Sequence, residues 1–197
     1  MGCSLSRYIP DMNFIKTQPD KKFTIEKVRN RKLNWGVTAL RLSYTAEIGY
    51  IETFKGRQVE ATKPLQNTLT IELCNVYSGV PINKPKKFYN QFSFEISYNC
   101  FGYCFVDSKV FLNDASGFIL DEYEEVESKD AEIILFKEFQ GINDIGEKIF
   151  ISIHAVKILP NGNVSFKPGI NPLVENVTRG RAIDKYNFNH EIYLKKK

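Results

Sequence analysis

Histidine is almost missing from this chain: there are two in 197 residues, His154 and His190. Neither stands in a pattern that would pair a base with a Ser or Cys nucleophile. A phosphate-cradling glycine loop, a dinucleotide fingerprint and a zinc-protease helix are absent too. No run approaches the roughly 18 apolar residues that span a bilayer, and the first residues lack the apolar stretch of a secretory signal. These absences point away from an enzyme with a recognisable catalytic motif and from a transmembrane or secreted protein. No cofactor is expected, and the four cysteines should remain thiols in a reducing compartment.

Alanine is scarce, whereas 15 Phe and 10 Tyr stand beside many Ile, Val and Thr. That balance favours strands over helices. Period-two alternation supports it. Leu69, Ile71 and Leu73 share one face of a stretch, as do Phe92, Phe94, Ile96 and Tyr98 in the next, and Ile149, Ile151, Ile153 and Ala155 in a third. Residues 35–54 read as a long strand or a pair of strands, and 101–112 as a further strand. Turn residues separate them at 77–87, 113–117, 141–146 and 160–163, with Asn161-Gly162 as a hairpin signal. Leu69, Ile71, Phe92, Phe94 and Ile151 are the expected core. The one stretch with helical character is 122–139, whose acidic first half reads alternatively as a loop before a strand. The expected fold is mainly β: a single β-sandwich-like or partly open barrel domain over 33–167 with few short helices. Irregular arms flank it, a basic N-terminal one over 1–32 and a basic C-terminal one over 168–197.

Where chemistry would sit, bland readings dominate. His154, mid-strand on an apolar segment, reads as a hydrogen-bonded histidine of the core or the surface rather than a catalytic base. Cys100 and Cys104, in an extended chain, would be about 13 Å apart, too far for a disulfide or a shared ion, and read as buried thiols. A turn at Gly102 would bring them closer, but no second ligand pair accompanies them. The six carboxylates of 121–130 lack the spacing of a calcium loop and read as a solvated loop or as a docking surface for basic partners.

What remains is the N-terminus, "MGCSLSR". Removal of Met1 would expose Gly2, and Ser6 completes the myristoylation pattern, with Cys3 placed for a palmitoyl group. One myristoyl chain binds membranes marginally, and two signals make the anchor stable. Lys21, Lys22, Lys27, Arg29, Arg31 and Lys32 follow within twelve residues, each able to add about 1 kcal/mol near an anionic leaflet. A solvated basic face is the plainer reading of that cluster. The net charge of +4 is too small to argue for sequence-specific nucleic-acid binding.

Two stretches resemble the matrix proteins of negative-strand RNA viruses, especially rhabdoviruses: "LCNVYSGVPINKPKKFYNQFSFEISY" (73–98) and "IFISIHAVKILPNGNVSF" (149–166). Chain size, mild basicity and a β-rich core after a basic arm are similar as well. The chain carries no P-P-x-Y motif, which that family's arm usually does. The resemblance implies a virion structural protein that lines the inner membrane surface, self-assembles and contacts a nucleoprotein. The expectation is therefore a non-enzymatic, lipid-anchored protein on the cytoplasmic face of a membrane, most plausibly the plasma membrane. Its partners would be the anionic surface, further copies of itself, and a nucleoprotein or membrane protein. The alternatives are a membrane-tethered adaptor or pathogen effector with a C2-like or PH-like β domain, and an enzyme assembled from scattered residues.

Overall fold

Two antiparallel sheets and three short helices make up residues 21–35, 40–65, 69–73, 96–107, 110–169, 171–183 and 190–197, the part that the computed structural model describes. The protein is mainly β, as its composition predicts, and no barrel closes among the described residues. The first sheet runs β1 (Phe23–Trp35), β2 (Leu40–Glu52), β3 (Gln58–Pro64), β5 (Phe111–Leu112), with β4 (Thr70–Leu73) also paired to β2. The second is ordered β10 (Val174–Val177), β9 (Val164–Phe166), β8 (Lys148–Ile158), β7 (Ile133–Ile142), β11 (His190–Lys196), β6 (Tyr123–Glu125).

β2 explains how one strand serves two cores. Leu42, Ala46 and Ile48 are buried on one face, where Leu42 packs with Ile96, Tyr44, Leu69, Ile71 and Phe111. Further along, burial moves to the other face: Ile51, with Val59 and Ala61 of β3, joins the main core. That core also takes Leu112, Ile133, Leu135, Ala155 and Leu194, with α1 (Cys100–Phe105) and α2 (Ser116–Glu122) contributing Phe101, Phe105 and Phe118. Phe118 is fully buried, worth about 2–3 kcal/mol of transfer free energy. Gly49 lies where β1 shifts register; a Cβ there would meet the Thr24 carbonyl oxygen at 1.8 Å.

The far face of the second sheet is covered as well. Ile134, Phe136, Val156, Val164 and Phe166 pack with Ala182 of α3 (Arg179–Ile183) and with Val174, Val177 and Tyr193. Because both faces are covered, Ile133 to Phe136 are all buried and no alternation is visible there.

Several expectations are corrected. Over 122–139 the helical reading fails and the alternative, an acidic connection before a strand, comes closer: the first part is the short β6 and a single 3₁₀ turn at Ser128–Asp130, the second part β7. The strand expected from 101 onward begins as α1. Asn99 caps that helix by accepting from the Gly102 amide at 2.9 Å, while its amide group donates to the Leu112 carbonyl at 2.8 Å. The turn at 113–117 opens α2, with the Asp114 carboxylate accepting from the Ser116 amide. The C-terminal arm is less irregular than expected, since 190–196 inserts between β7 and β6 as β11. The N-terminal arm boundary at 32 falls within β1. Of the five expected core residues, Leu69 and Ile71 are half-buried, Ile151 is 45% exposed, and Phe92 and Phe94 lie outside the described residues. Ile151 misses the core because it belongs to the part of the β7–β8 hairpin that, among the described residues, runs beyond the flanking strands.

Candidate membrane-facing surface

β1 carries most of the basic cluster, and alternation along the strand divides it. Lys27, Arg29 and Arg31 stand opposite Ile48, Ala46 and Tyr44, so they share one face. Their spacing along that face is about 7 Å per step. Lys32 points to the other face with Val28 and Asn30, opposite Ser43, Glu47 and Thr45. All four bases are exposed on an edge strand, and none forms an ion pair among the described residues. Arg31 acts on Tyr44, opposing the burial that raises that phenol's pKa. The three same-face bases are thus a row of positive charge with no acid opposite them in register.

Lys21 behaves differently. Its ammonium lies 2.5 Å from both carboxylate oxygens of Glu122 and 4.1 Å from the centre of the Phe118 ring. Glu122 is 2% exposed, and its carboxylate also accepts from the Phe54 amide at 3.0 Å. Burial lowers the Lys21 pKa, and the adjoining Glu122 charge opposes that shift. Lys21 is therefore an internal tie, not a base free to face a membrane. Lys22 beside it is exposed.

The neighbouring carboxylate, Asp121, is matched in the same way. It accepts from the Thr53 hydroxyl at 2.6 Å and from Arg57 Nε at 3.0 Å. The Arg57 hydrogen bond, followed by that of Thr53, holds its carboxyl below the ordinary carboxylate range. The first two acids of the run 121–130 are thus buried anchors for the β2–β3 turn, while Glu124, Glu125, Glu127 and Asp130 are exposed.

Gly2 and Cys3 lie outside the described residues. Cys100 and Cys104 are free, buried thiols as expected, one helical turn apart rather than extended. Burial pushes the Cys100 thiol up to about 11 and raises Cys104 too. No group of three or more His, Cys, Asp and Glu able to hold a metal occurs among the described residues. His154 is a core residue, 1% exposed, stacked on Phe136 and edge-on to Phe166. His190 is exposed at the start of β11, 5.4 Å from the Phe150 ring. An open cleft of about 600 Å³ lies beside β3 and the start of α2, but its polar groups serve one another: Asn113 bonds Glu60, and Ser116 bonds Asp114. No helix among the described residues is long and apolar enough to cross a membrane.

No protein-family model, curated protein or solved structure matches the chain.

Proposed function

We propose that this is a non-enzymatic peripheral membrane protein, acylated at Gly2 and Cys3, that works as a matrix-like structural and assembly protein on the cytoplasmic face of a membrane. The observation that carries the reading is the row Lys27, Arg29 and Arg31 on one face of an exposed edge strand, beginning six residues downstream of the Lys21 tie and preceded by the acylation pattern. Lysine and arginine on an edge strand also discourage strand pairing with other chains, but that role does not call for three bases on one face. Near an anionic leaflet they would add about 3 kcal/mol together, enough to make a marginal acyl anchor durable.

The assembly half of the proposal rests on the β7–β8 hairpin. Among the described residues β11 pairs with β7 only as far as Lys137, and β9 meets β8 only at Lys157 and Ile158. The hairpin beyond is a two-stranded ribbon that exposes Phe139, Ile142, Ile145, Ile149 and Ile151. Open edges with exposed aliphatic side chains are suited to contact with further copies.

The test uses the full chain expressed in eukaryotic cells. Intact mass should show the acyl groups, and Gly2→Ala should move the protein to the soluble fraction. For the unacylated chain, replacing Lys27, Arg29 and Arg31 by Gln should weaken binding to anionic vesicles about a hundredfold and flatten its salt dependence. Lys32→Gln alone should do much less. An unmodified mass together with an unchanged salt slope would refute the reading. Assembly on vesicles favours the matrix-like role; a persistent monomer with one dominant protein partner favours the adaptor.

A further inference from the structure

The chain leaves the acylation pattern and enters the domain at one defined place, and the surface around that place has its own chemistry. Lys21 is held by Glu122 at the end of α2. The same carboxylate takes the amide of Phe54, in the turn between β2 and β3. Leu120 lies two residues before Glu122 and borders the cleft that Arg57 and Gln58 line. At the other side, Lys197 donates its amide to the Glu122 carbonyl at 2.9 Å and its ammonium to the Leu120 carbonyl at 2.8 Å. Phe54 is 64% exposed and Leu120 62%. Two large apolar side chains thus stand in water where the arm enters, among the exposed Lys22, Lys55 and Lys197.

Several of the acids at this end are matched within the protein. Asp121 is matched by Arg57 and Glu122 by Lys21, and Glu124 stands opposite Lys195 in register. That leaves Glu52 beside Lys22, Lys55 and Lys197, with Glu60 and Asp114, bonded by Asn113 and Ser116, lining the cleft that Leu120 borders. The Lys55 ammonium also lies 5.7 Å from the Phe54 ring centre, as in side chains that keep an apolar body at the interface and a charged tip in the headgroups.

We infer that this end of the domain is a lipid-facing wedge, in which Phe54 and Leu120 enter the interface of an anionic bilayer while Lys22, Lys55 and Lys197 lie among its headgroups. The inference rests on the acyl-anchor reading, in which the anchored arm joins the domain at Lys21, tied through Glu122 to the end bearing Phe54 and Leu120. From Cys3 to Lys21 the chain can span no more than about 65 Å, and Lys21 is where it joins the described domain. The exposed aliphatics of the β7–β8 ribbon are poor rivals for the same role. β11 runs from His190, beside Lys137, to Lys196, beside Tyr123, so the ribbon lies at the opposite end of the second sheet. Its tip also carries Asp144 and Glu147, which an anionic surface repels. The wedge orients the protein: the end bearing Phe54 and Leu120 on the membrane, the ribbon pointing away toward other proteins.

The test uses the unacylated full chain with phosphatidylserine–phosphatidylcholine vesicles and with phosphatidylcholine alone. Phe54→Ser and Leu120→Ser should each lower affinity for the anionic vesicles about tenfold without shifting thermal unfolding, because both side chains are exposed. Ile142→Ser and Ile145→Ser at the far end should leave affinity unchanged. Phe54→Trp should gain a blue-shifted emission that brominated lipid quenches, read against the signal of Trp35 in the parent chain. Unchanged affinity in both Ser variants, or an unquenched Trp at position 54, would overturn the wedge. Because this assay contains no acyl group, its failure sinks the wedge alone, whereas an unmodified Gly2 in the intact mass sinks the anchor.

Discussion

Acid should destabilise this protein through one buried imidazole. His154 is 1% exposed, lying nearly parallel to the Phe136 ring at 6.2 Å and edge-on to Phe166 at 5.6 Å. Burial pushes its pKa down to about 4 from the ordinary 6.5. Above about pH 6.5 the group is neutral in both the folded and the unfolded chain, and its effect on stability is nil. Below that value the unfolded chain takes up a proton that the folded chain refuses, so stability falls by about 1.4 kcal/mol per pH unit. The fall ends where the folded group titrates, giving a total near 3 kcal/mol. That is a large share of the roughly 5–15 kcal/mol that holds a domain together. Asp121 does not blur this window. Its carboxyl is held low by Arg57 and Thr53, so its contribution is lost only as pH falls below the ordinary range near 3.9. Urea unfolding from about pH 7 to about pH 4.5, compared with His154→Leu, isolates the imidazole. The wild-type curve should fall more steeply than the variant's, by about 3 kcal/mol over the full window. If the two curves run parallel, the imidazole is not what acid attacks. Proton NMR gives an independent reading, in which the His154 ring should stay neutral down to about pH 5.

Removing the cation that ties the arm to α2 should cost about 3 kcal/mol, since Lys21→Met leaves the Glu122 carboxylate buried with the Phe54 amide as its one other hydrogen-bond donor among the described residues. Adding Glu122→Leu should restore much of the loss, and a double-mutant cycle by urea unfolding measures the coupling; a Lys21→Met variant as stable as the parent would remove the tie from the argument. Cys100 and Cys104 should resist alkylation by iodoacetamide in the folded protein and react readily in urea, because burial raises both thiols. Equal native and denatured rates, read by peptide mass, would contradict their placement in the core.

The β character of this protein, two of its turns and the burial of two thiols are determined locally. Thr, Ile, Val, Phe and Tyr at alternating positions can put one face against a core only as strands, and Asn161-Gly162 does turn the chain between β8 and β9. Cys100 and Cys104, read as buried thiols, are buried, and His154, which the sequence leaves between core and surface, is placed in the core by the fold. The acylation pattern and the basic residues of β1 are equally plain in the sequence, since they depend on residue identity alone.

Elsewhere the decision belonged to contacts between distant segments. α1 buries Cys100, Phe101, Gly102, Cys104 and Phe105, and a helix covered nearly all round shows no 3.6-residue period by which to separate it from a strand. β7 lost its alternation because cores press on both faces of its sheet. β11 looks like a polar tail until β6 and β7 receive it, and its ladder of backbone hydrogen bonds carries no signature in the side chains. Ile149 and Ile151 have strand periodicity yet remain in water, because alternation reports a strand and not whether another layer reaches it. Lys21 and Glu122 stand 101 residues apart in sequence, so only folding could show that one base of the cluster is internal. The same tie marks where the N-terminal arm meets the domain. Pairing, covering layers and charge matching are properties of juxtaposed segments, and no single stretch of this chain encodes them.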